Sequence, residues 1–281
     1  MKNQQNNIAV LITCFNRKEK TIRCLTSLYE IIKNIDIYLT DDLSVDGTSE
    51  TISTRFPYVN IIRGNGELYW SRGMNLSWNH ASKKDYNFYL WLNDDVILYD
   101  NSIIELFECS SMSRDLAIIS GCIESHDKSR VLYGGSHNNS QLITPNGKLQ
   151  NITFMNGNVV LIPKFVFSKL GFLDSHFHHD LGDVDYGLRA NKKNIKVVTT
   201  RTYIGSCDDN ELCRVRYQNQ NIFIRFKKLY SPLGSNPFIN FYFRRVHFGL
   251  INACTYFMYL HFINVIPNKL IKLIFKSKYL N

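Results

Sequence analysis

Six residues, Asn87 to Leu92, followed at once by Asn93-Asp94-Asp95, constrain the fold more than any other stretch of the chain. Apolar side chains in an unbroken run are what a strand covered on both faces requires, so this segment reads as an inner strand of a parallel sheet. Two carboxylates where such a strand ends are costly to desolvate unless something holds their charge, and a bound divalent cation is one common remedy. An Asp-rich turn with solvated side chains is the other reading. The stretch by itself leaves both open.

The residues before it say what kind of sheet surrounds that strand. Ile8 to Phe15 is a first apolar run; Ile22, Leu25, Leu28 and Ile32 then recur at helical spacing and predict a helix over Lys18 to Lys33. A second strand is expected at Asp36 to Thr40. It runs into Asp41-Asp42-Leu43-Ser44-Val45-Asp46-Gly47-Thr48, whose Asp, Ser and Gly content predicts a loop, with Thr48 or Ser49 capping the next helix. A strand at Val59 to Ile62, a Gly64-Asn65-Gly66 turn and a helix over Arg72 to Lys84 lead back to the central strand. Such alternation implies parallel strands joined by right-handed crossovers. Ligands of open α/β sheets sit outside the carboxyl ends of the strands. Thr13 to Asn16, Asp41-Asp42 and Asn93 to Asp95 would therefore share one face, provided the strand order makes them neighbours. Four carboxylates gathered there shift the balance toward a metal–phosphate site.

Further on, a helix is expected at Asn101 to Ser110, a strand at Leu116 to Ser120, a β-rich insertion over Glu124 to Gln150, a strand from Asn156 to Pro163 and a short helix at Phe165 to Leu170. A second acidic stretch, His178-His179-Asp180-Leu181-Gly182-Asp183-Val184-Asp185, leads into another helix. Its spacing matches no recognised metal-ligand pattern, and Asp183 at the helix start suits an N-cap.

At these residues the chain resembles a known family. Ala9-Val10-Leu11-Ile12-Thr13-Cys14-Phe15-Asn16 before a helix resembles the opening of family 2 glycosyltransferases, and Thr40 to Thr48 matches their V-D-D-G-S-x-D-G-T run except at Thr40 and Leu43. Gly171-Phe172-Leu173-Asp174 resembles the family's G-x-F/L-D turn. The resemblance covers roughly residues 8–200 and implies the α/β GT-A fold, a Rossmann-like, mostly parallel sheet flanked by helices. It also implies a nucleotide-sugar donor and Mg²⁺ or Mn²⁺. Carried over, it places Thr13 and Phe15 in the base pocket, Asp42 on the nucleoside and Arg72 among the donor contacts, a surface helix cation being the other reading of Arg72. Asn93-Asp94-Asp95 becomes the D-x-D-type element, with Asp95 the metal ligand and Asp94 nearer the ribose. The family's E-D-x-D-x-x-x-R pattern is met by Asp183, Asp185 and Arg189, with Gly182 in place of the glutamate; Asp183 is then the catalytic base of an inverting transfer. A histidine that many relatives carry after the next strand, here Lys196 to Thr199, is missing at Tyr203-Ile204-Gly205-Ser206. Glu67 to Asn75 resembles relatives using dTDP-rhamnose as well as relatives using UDP-sugars. The implied setting is bacterial surface-polysaccharide synthesis on a glycan or lipid-linked glycan acceptor.

The remainder is set apart by charge. The net charge is +9, yet no acidic residue follows Glu211, and Arg214, Arg216, Arg225, Lys227, Lys228, Arg244, Arg245, Lys269, Lys272, Lys276 and Lys278 all do. Residues 1–211 are accordingly read as the catalytic domain and 212–281 as a basic, aromatic-rich helical region with an anionic partner. Val246 to Asn268 is apolar and near the length of a membrane span, but Gly249, Asn252 and Asn264 weaken that reading. Lys269 to Leu280 has an interfacial amphipathic pattern, so peripheral attachment to an anionic membrane surface is preferred over spanning, with a packed soluble helix as the other reading. Nucleic acid is a poorer partner, because no such module is recognisable. Seven scattered cysteines without a Cys-x-x-Cys pair suit a reducing compartment, and the polar start, Met1 to Asn7, carries no secretory signal. The expected location is cytoplasmic, at the inner face of the cell membrane. Two other functions stay in view: a non-catalytic nucleotide- or glycan-binding module, and a nucleotidyltransferase, whose glycine-rich loop after the first strand is absent.

Overall fold

A computed structural model describes residues 7–137, 141–209, 214–216, 220–268 and 270–271. The chain divides into two compact units, Met1–Ser175 with Gly182–Asp209, and His176–Leu181 with Asn210–Asn281.

The first unit is built on alternation. In order it holds β1 (Ile8–Cys14), α1 (Lys18–Ile31), β2 (Asp36–Asp41), α2 (Thr48–Arg55), β3 (Val59–Arg63), α3 (Tyr69–Ala81), β4 (Phe88–Leu92), β5 (Ile97–Leu98) and α4 (Ser102–Met112). Then come β6 (Ile118–Ser125), β7 (Val131–Tyr133), β8 (Gly135–Ser136), β9 (Phe154–Met155), β10 (Val159–Pro163), α5 (Lys164–Leu170), α6 (Gly182–Lys192) and β11 (Val197–Cys207). The main sheet runs β3-β2-β1-β4-β10-β6-β11-β5, with β7 beside β6; β8 and β9 pair separately. Strands β3, β2, β1 and β4 are parallel, with Cys14 opposite Asp41 and Leu11 opposite Trp91. Strand β10 runs antiparallel to both β4 and β6, and β6 and β11 are parallel again. This is an α/β fold of the expected class.

The unbroken apolar runs exist because each strand feeds two cores. Ile8, Val10 and Ile12 face a core with Leu25 and Leu28 of α1, while Ala9 and Leu11 face one with Met74 and Trp78 of α3. Strand side chains alternate between faces, so a strand sandwiched by helices must be apolar at every position.

Several local expectations are corrected. Neither Thr48 nor Ser49 caps α2: the cap position is Gly47, in the left-handed region at φ 80°, and Asp46 accepts from the Thr48 N–H at 3.1 Å. Helix α3 starts at Tyr69 and ends at Ala81, three residues earlier than expected at each end. Strand β11 continues well past Thr199, through Thr200-Arg201-Thr202, with register shifts beside β6. Arg201 is acceptable there because it pairs with Glu105 of α4 at 2.6 Å. The Glu124–Gln150 insertion holds only short strands among its described residues.

The second unit holds α7 (Ile222–Leu229), α8 (Pro237–Phe248) and α9 (Leu250–Val265). Asn236 caps α8 by accepting from the Phe238 and Ile239 N–H groups, and Pro237 occupies the first helical turn, where its missing N–H costs nothing. The Val246–Asn268 stretch is broken by Gly249 at φ 90°. Among the described residues no helix is long and apolar enough to cross a membrane. Two basic residues assigned to an anionic partner are instead internal. Arg216 donates to the Ile263 and Ile266 carbonyls at 2.9 Å each, and Arg225 donates to Ile266 O at 2.9 Å. They satisfy carbonyls at the C-terminus of α9, where the helix dipole favours positive charge. Lys272, Lys276 and most of the Lys269–Leu280 segment lie outside the described residues.

Candidate active site

The strand order makes the three acidic ends neighbours, since β1 lies between β2 and β4. The carboxylates gathered there have different jobs. Asp41 accepts from the Ser44 N–H at 2.9 Å and from the Ser49 hydroxyl, and so shapes its own turn. Asp42 is 4% exposed and accepts from three backbone N–H groups: Gly66 at 2.8 Å, Leu68 at 2.8 Å and Tyr69 at 3.1 Å. The aspartate expected to bond the nucleoside therefore also organises the loop from Gly64 to Tyr69. Gly64 packs so closely that a Cβ there would stand 2.5 Å from Asp42 Oδ1. Of the two residues expected in the base pocket, Thr13 is buried under α3, where a Cβ on Gly73 would meet its Oγ1 at 2.1 Å. Phe15 is half exposed at the end of β1 and presents a free aromatic face there.

Asn93-Asp94-Asp95 is organised by two residues that sequence reasoning passed over. Arg17, at the start of α1, places Nη1 3.0 Å from Asp94 Oδ1 and Nη2 2.5 Å from Asp95 Oδ2. Both carboxylates are nearly buried. Burial pushes Asp94 up to about 7 even though the Arg17 charge opposes it. Burial likewise works against the Arg17 charge, but the two carboxylates outweigh it and hold its pKa above the ordinary value. The second residue is Trp70, whose Nε1–H donates to Asn93 Oδ1 at 2.6 Å. The asparagine in place of a first aspartate is thus held by an indole donor, and an amide oxygen accepts it without adding a third buried charge.

Trp70 also reaches toward the other half of the site. A Cβ on Gly157 would stand 2.5 Å from Trp70 Cη2 and 3.0 Å from Asp183 Cβ, so the ring, the glycine backbone and Asp183 are stacked in contact. Asp183 lies in the first turn of α6; its Oδ2 accepts from the Gly157 N–H at 2.7 Å and its Oδ1 from the Val184 N–H at 2.8 Å. Burial raises its pKa, against those backbone N–H groups. The N-cap expectation for Asp183 is corrected: α6 begins at Gly182, so Asp183 stands inside the helix, with both its oxygens oriented by backbone N–H groups. Asp185 pairs with Arg189 at 2.8 Å, and Arg189 also donates to the Leu170 and Phe172 carbonyls at 2.9 Å each, so these two motif residues brace α6. Arg72 donates to Ser175 O at 3.1 Å, an anchoring contact one turn beyond Tyr69.

Asn93, Asp94, Asp95 and Asp183 are brought into one connected arrangement through Arg17, Trp70 and Gly157. The only signal for Arg17 was its place just after a strand facing the acidic end. Trp70 stood two residues from Arg72, in a stretch where the cation drew attention.

The donor set at Asp94-Asp95 fits a small hard cation. Mg²⁺ and Mn²⁺ favour carboxylate oxygen, and such sites commonly use one or two carboxylates and take the remaining ligands from water and substrate phosphates. Among the described residues no group of three or more His, Cys, Asp or Glu could hold a metal ion. A cation at Asp95 would therefore complete its shell largely from substrate and solvent.

Two solved structures share the fold. The chain matches "Crystal structure of S. aureus TarS" with a TM-score of 0.55 at 8% identity, over 72% of this chain and 37% of that one, so it spans little more than a third of TarS. It matches a mannosyltransferase, PcManGT from Pyrobaculum calidifontis, solved in complex with GDP-Man and Mn²⁺, with a TM-score of 0.57 at 11% identity, over 98% of this chain and 81% of that one. No curated protein sequence matches. The model of the family described as "Glycosyl transferase family 2" matches residues 9–171, which takes in all of β1 but Ile8, the acidic ends of β2 and β4, Trp70 and Gly157. With the fold and more than half of the chain in agreement, the protein belongs to glycosyl transferase family 2.

Proposed function

We propose that the protein is an inverting glycosyltransferase, moving a sugar from a nucleoside diphosphate donor to a hydroxyl of a glycan or lipid-linked glycan acceptor. The observation that carries this is the linked pair of acidic elements, Asn93-Asp94-Asp95 and Asp183, joined through Trp70 and Gly157. Asp183 takes the proton of the acceptor hydroxyl as its oxygen bonds to the anomeric carbon and the bond to the departing diphosphate breaks. A carboxylate whose pKa is raised by burial is a stronger base than a solvated one, which suits this step. Asp95, with Asp94 behind it, would hold Mg²⁺ or Mn²⁺, which when bound supplies positive charge to the leaving diphosphate. Phe15 would stack on the base, Asp42 would bond the nucleoside, and Arg72 belongs to the donor side. UDP and dTDP are the proposed nucleotides, hexosyl or rhamnosyl transfer the reaction, and bacterial surface-polysaccharide synthesis the setting.

The test is transfer, or slow donor hydrolysis, with UDP-, dTDP- and GDP-sugars and Mn²⁺ or Mg²⁺. Asp183→Asn and Asp95→Asn should each lower the rate by about 10²-fold or more. Rates within twofold of the parent chain would overturn the assignment. Gly182, standing where relatives carry glutamate, favours a second reading, a module that binds donor without turnover. Donor binding with no transfer across an acceptor panel would establish it instead.

We also propose that the C-terminal unit rests on an anionic membrane surface at the inner face of the cell membrane. Ile251, Met258, Phe262 and Val265 are exposed along one side of α9, and Phe223 of α7 is 83% exposed. Arg245 and Lys227 are exposed on the neighbouring helices, with no acidic residue after Glu211 to oppose them. Apolar insertion combined with basic flanks is the pattern of interfacial binding. Flotation of the full chain with phosphatidylglycerol vesicles should exceed that with phosphatidylcholine and fall in Ile251→Asp/Met258→Asp. Equal recovery with both lipids would refute it.

A further inference from the structure

Arg17 is unused in the chemistry above, yet it is the residue that holds both carboxylates of the donor element. Its guanidinium sits in the position of a counter-ion, forked across Asp94 Oδ1 at 3.0 Å and Asp95 Oδ2 at 2.5 Å. The fork is built by the fold. Arg17 occupies the N-cap position of α1, and its own carbonyl accepts from the Thr21 N–H at 2.9 Å and the Thr21 hydroxyl at 3.0 Å. The Thr21 hydroxyl also lies 3.4 Å from Asp94 Oδ2. The start of α1 is thus tied to the acidic turn by side chain and backbone together. A planar guanidinium bridging two carboxylates and a divalent cation coordinated by one of them draw on the same carboxylate charge, the first bringing one positive charge and the second two. They compete at Asp95, where Arg17 holds Oδ2.

Resting on the reading of Asp95 as the cation ligand, we propose that Arg17 is a resident counter-ion that competes with the divalent cation for Asp95 and must release it before the metal-bearing donor is seated. In the free chain Arg17 offsets part of the charge of the buried pair where no metal is bound. When the cation arrives with a nucleoside diphosphate, the guanidinium gives up Asp95 and faces the incoming phosphates, to which its geometry is equally suited. A second anionic partner stands close by. Lys20, less than one turn along α1, pairs with Asp208 at the end of β11 at 2.8 Å, and His126 lies 3.3 Å from the other oxygen of that carboxylate. The consequence is that cation affinity without nucleotide is weak by construction, and cation and diphosphate bind cooperatively.

The experiment measures Mn²⁺ binding directly, by the EPR signal of free Mn²⁺, on the full chain with and without UDP, in the parent, Arg17→Gln, Arg17→Lys and Asp95→Asn. Without nucleotide, Arg17→Gln should bind Mn²⁺ about 10- to 100-fold more tightly than the parent, the range expected when a charge-assisted competitor is lost. Its melting temperature should be lower than the parent's without metal and rise more on adding Mn²⁺. Arg17→Lys keeps the charge but not the fork and should fall between; if the glutamine variant does not fold, a several-fold gain in the lysine variant carries the test. UDP should strengthen Mn²⁺ binding more in the parent than in Arg17→Gln. Affinities within twofold of the parent, or weaker, overturn the competition while leaving the cation at Asp95 intact. Absence of Mn²⁺ binding in every variant, with UDP present, overturns the cation reading and this inference together.

Discussion

Replacing Gly157 by alanine probes the contact that joins the two halves of the site. Gly157 is outside the left-handed region, so the backbone accepts alanine and the cost is one of contact alone. The new Cβ would stand 2.5 Å and 2.6 Å from Trp70 Cη2 and Cζ2 and 3.0 Å from Asp183 Cβ, where ordinary contact begins at 3.4 Å. Relief requires the indole or the β9–β10 connection to move by about 1 Å, and overpacking of this kind costs about 1–3 kcal/mol. A melting temperature lower by roughly 2–4 °C per kcal/mol follows for a unit of this size. Activity should suffer more. The Trp70 bond to Asn93 is 2.6 Å long and lies on the same ring, so moving the ring displaces Asn93-Asp94-Asp95, and in the proposed donor role of that stretch a shift of about 1 Å near reacting groups costs about 10²-fold. Trp70→Phe alone removes the indole donor, a loss of about 0.5–1.5 kcal/mol. In the double variant the outer ring atoms are gone and the alanine has room, so the double should be no worse than Trp70→Phe. The assay is kcat and thermal unfolding for all four members of the cycle. Effects that add to within about 0.3–0.5 kcal/mol would refute the contact as the link.

Other outcomes follow from single features. The raised pKa of Asp183 sets both a pH limb and a stability gain. In its proposed role as base Asp183 must be ionised, so transfer should fall as pH drops through a pKa above the usual carboxylate range, and a kcat/KM profile flat to pH ~4 would contradict this. Because folding favours the protonated form, this group's contribution to stability is full at low pH and is lost as pH rises through the folded pKa. Asp183→Asn should therefore unfold at a temperature equal to or above that of the parent at neutral pH while losing activity. Gly64→Ala should destabilise by about 1–3 kcal/mol, because its Cβ would strike Asp42 Oδ1 at 2.5 Å and Leu68 Cδ1 at 2.8 Å; unchanged denaturant midpoints would count against the loop-organising role of Asp42. Asn236→Ala should cost about 1 kcal/mol by leaving the Phe238 and Ile239 N–H groups uncapped, visible as faster hydrogen exchange in the first turn of α8.

The elements that bury two faces were legible in the sequence because burial leaves a compositional mark. Ile8 to Cys14 and Phe88 to Leu92 could only be inner strands. Direction leaves no such mark: Val159 to Pro163 reads the same whether parallel or antiparallel, so the reversed strand between β4 and β6 was not apparent. Strand β11 runs past the expected Thr199 through Arg201, whose charge is met by Glu105, a partner distant in sequence. The same holds in the site. Asp94, Asp95 and Asp183 announce themselves as charges that need partners, whereas Arg17 and Trp70 matter only through what they touch.

The loops after β1 and β2 are sewn to each other. Asn16 N–H donates to the Ser44 hydroxyl and its side-chain oxygen accepts from Val45 N–H, each at 2.8 Å, while Lys18 N–H donates to Asp46 at 3.0 Å. The rim on which a ligand would settle is therefore ordered when the chain folds. Ordering a long interfacial side chain on association costs about 0.5–1.5 kcal/mol of entropy, and here most of that loss has been taken beforehand. Cutting the stitch with Asn16→Ala should leave the enthalpy of nucleotide binding nearly unchanged and make its entropy less favourable. Calorimetry would then see the damage before a melting curve does.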